Sequence, residues 1–117
     1  MIRDVREQIA AELQTVPWPV HAYKPDDVGS VPCIVVDRPT VAVDVQHNVF
    51  TVPIVVIGLR DGSHEAQSEL DDAASAVVRA LTGPTFAVSR VEPSVASVAE
   101  LTYPSYTLTV ACGATYC

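Results

Sequence analysis

Apolar residues open the chain at Ile2, Val5, Ile9 and Leu13, spacings of three, four and four that draw one stripe down a 3.6-residue helix. Arg3, Asp4, Arg6, Glu7, Glu12 and Gln14 occupy the other face, and Pro17 and Pro19 stop the helix. The pattern then changes to short apolar runs. Residues 20–23 predict a short strand, 24–30 a loop rich in Pro, Asp and Gly, and 33–37 an interior strand, apolar on both faces until Asp37. Over 39–48, Val41, Val43 and Val45 alternate with Ala42, Asp44 and Gln46, the period of a half-exposed strand or long hairpin arm. Residues 50–59 form the strongest strand; Pro53 within it predicts an edge position or a bulge. Ser63 reads as the N-cap of a second helix over 63–82, with Glu65 in its first turn and a buried stripe of Ala66, Leu70, Ala73, Val77 and Leu81. Gly83 and Pro84 end it. Residues 86–91 and 103–112 are the last strands, and 92–102 reads as a loop or irregular edge.

This order predicts a single α+β domain over 1–117: a mainly antiparallel or mixed sheet of four or five strands, with two helices on one face. Its core should contain Leu70, Val77, Ile54, Val56, Val35 and Leu108. At 117 residues the chain supports one core and not two. Apolar residues make up 49% but aromatics only 6%, which suits a Val-rich sheet packed by helices carrying small residues. The net charge of −7 argues against electrostatic grip on nucleic acid. No apolar run approaches the ~20 residues of a membrane span. The N-terminal segment lacks the apolar core of a signal peptide, so a cytosolic site of synthesis and assembly is expected.

Residues with chemical potential are present but scattered. Cys33, Cys112 and Cys117 offer no CxxC pair and no nearby His, so no zinc site is expected, and Cys33 reads as a small buried hydrophobe. His21, His47 and His64 lie in three different elements without metal-ligand spacing. Asp61, Ser63 and His64 hold the letters of a hydrolase triad, but three residues of one turn do not converge, and Ser63 is better explained as a cap. Asp71 and Asp72 are neighbours on a helix and read as a solvated face. Neither catalysis nor a cofactor is expected.

What remains is surface. A Val-alternating arm that two helices do not cover marks a partner surface, which makes Val41, Val43, Val45 and His47 interface candidates. Trp18, between two prolines, is either a further interface anchor or a plug at the end of the core.

The opening MIRDVREQIAAEL helix, the VHAYKPDDVGSVPCIVVDRPTV segment, and an apolar strand running into RDGSHEAQSELDDAASAVVRAL together give the chain a likeness to a known group. Over nearly its whole length it resembles the tail terminator (tail completion, or head–tail joining) proteins of long-tailed bacteriophages, particularly those of actinobacterial phages and related prophages. The resemblance implies a virion structural protein with no catalytic residue. Its subunits form a ring, typically a hexamer, that caps the head-proximal end of the tail tube and docks the head connector. The implied partners are other copies of the chain, the tail-tube protein and the connector or head-closure protein, with DNA passing through unbound. A head-closure or neck adaptor of the same assembly is the alternative, and a small ligand-binding domain or enzyme the reading from another class. An acidic lumen would let DNA slide, and Asp26, Asp27, Asp37 and Asp44 are the candidates to line it.

Overall fold

The computed structural model describes residues 2–22, 31–43, 48–60, 62–83 and 86–112. They form α1 (Ile2–Glu12) with a 3₁₀ turn (Leu13–Thr15), then β1 (Val20–His21), β2 (Cys33–Val36), β3 (Thr40–Val43), β4 (Asn48–Ile57), α2 (His64–Ala80), β5 (Phe86–Val98) and β6 (Leu101–Cys112). The strands make one mixed sheet in the order β1-β2-β4-β6-β5, with β3 also against β4. Only β1 and β2 run parallel. The α+β class with helices packed on the sheet is as the sequence predicts, with six strands in place of four or five.

Period-two alternation along β4 divides the interior. Phe50, Val52, Ile54 and Val56 face the helices and pack with Ile34, Val36, Leu108, Val110 and Cys112 of neighbouring strands. Val5, Ile9 and Leu13 cover this face from α1, and Leu70, Ala73 and Val77 from α2, followed by Leu81. The small Ala73 and Ala74 let α2 lie close to the sheet. At Gly58 the approach is tight: a Cβ there would sit 3.3 Å from the Leu70 side chain. Ser63 caps α2, its hydroxyl accepting from the Ala66 N–H at 3.2 Å.

Pro53 lies mid-strand in a central position, not at an edge. Its C=O accepts from the Asp37 N–H at 2.9 Å, so its nitrogen also faces the β2/β3 side, and the β6 ladder loses no bond. On that side the register slips: Val36 faces Ile54, but Thr40 faces Thr51, four residues advancing against three. The chain passes Pro53 at this break between β2 and β3, so a missing donor is tolerated there. Beyond the end of β1, the Arg6 guanidinium donates to the Val36 C=O at 2.9 Å, joining α1 to a strand edge that β1 does not reach.

Residues 92–102, expected as loop, are paired strand. β5 and β6 form one long hairpin closed by Ala99 and Glu100, both at positive φ (50° and 68°), a two-residue turn whose twist matches the strands. The sequence there lacks the Asn-Gly or Asp-Gly that announces such a turn, so the hairpin was illegible locally. Ser89 is an extra residue between Val88 and Arg90, and its hydroxyl donates to the Thr109 C=O at 3.3 Å.

The hairpin overhangs the sheet. β6 meets β4 only from Pro104 onward, where the Pro104 C=O accepts from the Gly58 N–H, leaving Leu101–Tyr103 paired to β5 alone. The overhang curls over the face opposite the helices. Val98, 1% exposed, and Tyr103 pack there on Cys33, Val35 and Ile57 in a second, smaller core. β2 and β5 stand three ladder spacings apart, about 14 Å in a flat sheet. Their side chains nevertheless line one cleft, which requires strong coiling.

Two measurements check this account. Leu70→Ala should lower stability by roughly 2–5 kcal/mol in urea denaturation. Glu100→Gly should raise it by about 1 kcal/mol, because a non-glycine residue in the left-handed region carries a penalty of that size.

Candidate interaction surface

Among the described residues, those singled out for chemistry do not converge. Ser63 is occupied as a helix cap, His64 is exposed on the first turn of α2, and His21 sits half-buried in β1; Asp61 and His47 lie outside the described residues. Among the described residues no three His, Cys, Asp or Glu side chains are grouped to hold a metal ion. No helix of the described residues is long and apolar enough to cross a membrane. Cys33 is buried in the second core, and burial pushes its thiol up to about 11. Asp71 is more than a solvated carboxylate. It accepts a hydrogen bond from the Tyr106 hydroxyl, tying α2 to β6, and this bond and the carboxylate's charge raise the Tyr106 hydroxyl above its ordinary value.

The interface candidates divide. Val41 points inward, half-buried against the main core, so its side chain belongs to the monomer's own packing. Thr40 and Ala42, the alternate residues of β3, are exposed. The side chains of Val43, Val45 and His47 lie outside the described residues, as do Asp26, Asp27 and Asp44. Asp37 is exposed at the end of β2, its carboxylate accepting from the Arg38 N–H at 2.7 Å. Trp18 is half-buried, resting on the main core while lining an open groove of about 440 Å³ with Pro17, Ala73, Ala76 and Arg79. Plug and surface residue are thus combined in one side chain.

The surface that the sequence reading missed is the β5–β6 hairpin. Val95 is 72% exposed, and Val91 and Leu101 are exposed beside it. On the inner side of its curl lies a cleft of about 330 Å³ with an apolar floor of Val35, Val55 and Ile57. Its wall carries a hydroxyl group of three: the Ser94 hydroxyl lies 2.8 Å from those of both Ser105 and Thr107. Each hydroxyl satisfies another, so the wall is polar without being charged. The hairpin's signal in the sequence was an absence. From Pro93 to Cys112 the only charged residue is Glu100, in a chain whose net charge is −7.

No protein-family model matches the chain, and no curated protein does.

The buried thiol supplies a check. At pH 8, three units below its pKa, about one Cys33 in a thousand is thiolate. In the folded protein it should resist alkylation by iodoacetamide, and react at the ordinary rate once urea unfolds the chain.

Proposed function

We propose that this chain is a virion structural protein of a long-tailed bacteriophage, a tail terminator whose subunits close into a ring, typically of six. The ring caps the head-proximal end of the tail tube, ends its polymerisation and docks the tail to the head connector. The reading rests on the likeness in element order and motif flavour described above. The structural observation that carries it is the overhanging hairpin, apolar and nearly free of charge, on an otherwise acidic subunit.

The energetics favour assembly into a closed set over a single pair. Burying one exposed aliphatic side chain contributes ~1.5–3 kcal/mol, whereas joining two bodies costs an estimated ~4–15 kcal/mol in lost freedom. One hairpin tip with Val95 and Leu101 therefore holds a neighbour weakly. A closed ring gives each subunit two such contacts, and a preformed tube end adds further ones. In this reading Asp37, with Asp26, Asp27 and Asp44, faces the lumen and keeps DNA from adhering as it passes.

Purified chain added to polymerising tail tubes should halt growth and appear in electron micrographs as rings at one tube end. Rings found on filled heads and never on tube ends would instead assign the protein to the neck as a head-closure adaptor. The lumen is tested separately by Asp37→Lys. Folding should be unchanged, because an exposed charge contributes little to stability, while DNA ejection slows, most at low salt where screening is weakest. Unchanged ejection from particles shown to carry the variant ring would overturn the lumen assignment.

A further inference from the structure

Both lateral edges of the sheet are open among the described residues. One side ends in β5, paired only to β6; the other ends in β1, two residues paired only to β2, and in β3, paired only to β4. Hydrogen-bond direction shows which residues present unpaired backbone groups. The Gly58 N–H donates to the Pro104 C=O at 2.9 Å, so Pro104 faces β4, and Tyr103 and Ser105 face β5. Their partners Ala96 and Ser94 therefore bond inward to β6, while Pro93, Val95 and Ser97 turn their backbone outward. On β4, Pro53 faces the β2/β3 side, and by alternation so do Thr51 and Val49. Thr40 and Ala42 are thus the bonded residues of β3, and Val41 and Val43 turn their backbone groups outward.

The β5 edge is protected along part of its length only. The bulge at Ser89, the exposed Arg90–Glu92 ion pair and Pro93, whose missing donor falls on the outer side, are devices that discourage edge pairing. From Ser94 to Val98 there is no proline, bulge or charge. β3, Thr40 to Val43, is equally bare. These two unprotected stretches, of five and four residues, lie on opposite sides of one molecule.

We propose that the Ser94–Val98 edge of one copy pairs with the Thr40–Val43 edge of a second copy, extending the sheet from subunit to subunit. Charge identifies the occupant as a second copy of this chain. A basic partner would be drawn to the carboxylate-rich faces, whereas a body that is itself at −7 approaches with least repulsion where both surfaces are neutral. The contact joins two different edges, so it is heterologous, repeats head to tail, and closes where the rotation permits. It deepens the ring reading by naming the contact, and it is tested on purified protein alone.

The test uses Val95→Pro and Val43→Pro, each removing an outward N–H that the monomer's ladder does not use. Sedimentation velocity from 1 μM to 1 mM should show the wild type assembling and each variant remaining monomeric, with far-UV circular dichroism unchanged. An equimolar mixture of the variants retains one good edge of each kind and should form a dimer and nothing larger. Should either variant fail to fold, hydrogen exchange on the wild type decides: peptides covering 93–98 and 40–43 gain protection on assembly, by at least tenfold in exchange rate. A wild type monomeric throughout that range, unchanged exchange in those peptides on assembly, or Val43→Pro assembling like wild type would each overturn the pairing. A ring held by other surfaces would then still serve a tail terminator. Conversely, edge pairing without any capping of tail tubes would leave the contact intact and remove the terminator reading.

Discussion

β4 carries apolar side chains on both faces, and a strand of that kind has to be covered twice. Once β4 is placed between β2 and β6, alternation assigns Phe50, Val52, Ile54 and Val56 to one interior and Val55 and Ile57 to the other. The two helices cover the first interior. Nothing helical is left for the second, so the sheet must cover it with its own substance, and the coiled hairpin does so. The course of β5 and β6 is in this sense a consequence of the composition of β4.

The curl joins stability to surface. Placing Val98 and Tyr103 over Cys33, Val35 and Ile57 buries the inner side of the hairpin and leaves Val95, on its outer side, in water. The turn residues Ala99 and Glu100 accept an unfavourable backbone conformation, held there by the packing on either side. A segment that must be apolar to cover a core is thereby also apolar where it protrudes, and it carries almost no charge.

That distribution gives the acidic balance a structural meaning. In the proposed ring, exposed carboxylates such as those of α2 would keep like subunits apart in most orientations, leaving the uncharged stretches Thr40–Val43 and Ser94–Val98 for contact. Orientation of a neighbour is then selected as much by where repulsion is absent as by where attraction is present. In the proposed tail terminator, the same charge would discourage both adhesion of passing nucleic acid and misdirected contact between copies.

The helices were legible in the sequence because their stripes are local: Val5, Ile9 and Leu13, and Leu70, Ala73 and Val77, are buried where their spacing puts them, and Ser63 caps where its chemistry points. The apolar strand cores were legible for the same reason, as was the quiet role of Cys33. Pro53 announced an interruption, but only the pairing of β4 showed it to be central, lying opposite the break between β2 and β3. Residues 92–102 hid their strand because Pro93, Pro104 and an Ala-Glu turn all argue locally against it; pairing along the whole of β6 and the demand of the second core outweigh them. Val41 read equally well as adhesive or as core, since alternation shows that a strand has two faces without showing which is covered. Which edges stay open is a property of strand order. Strand order is set by long-range pairing, and no local pattern in the chain encodes it.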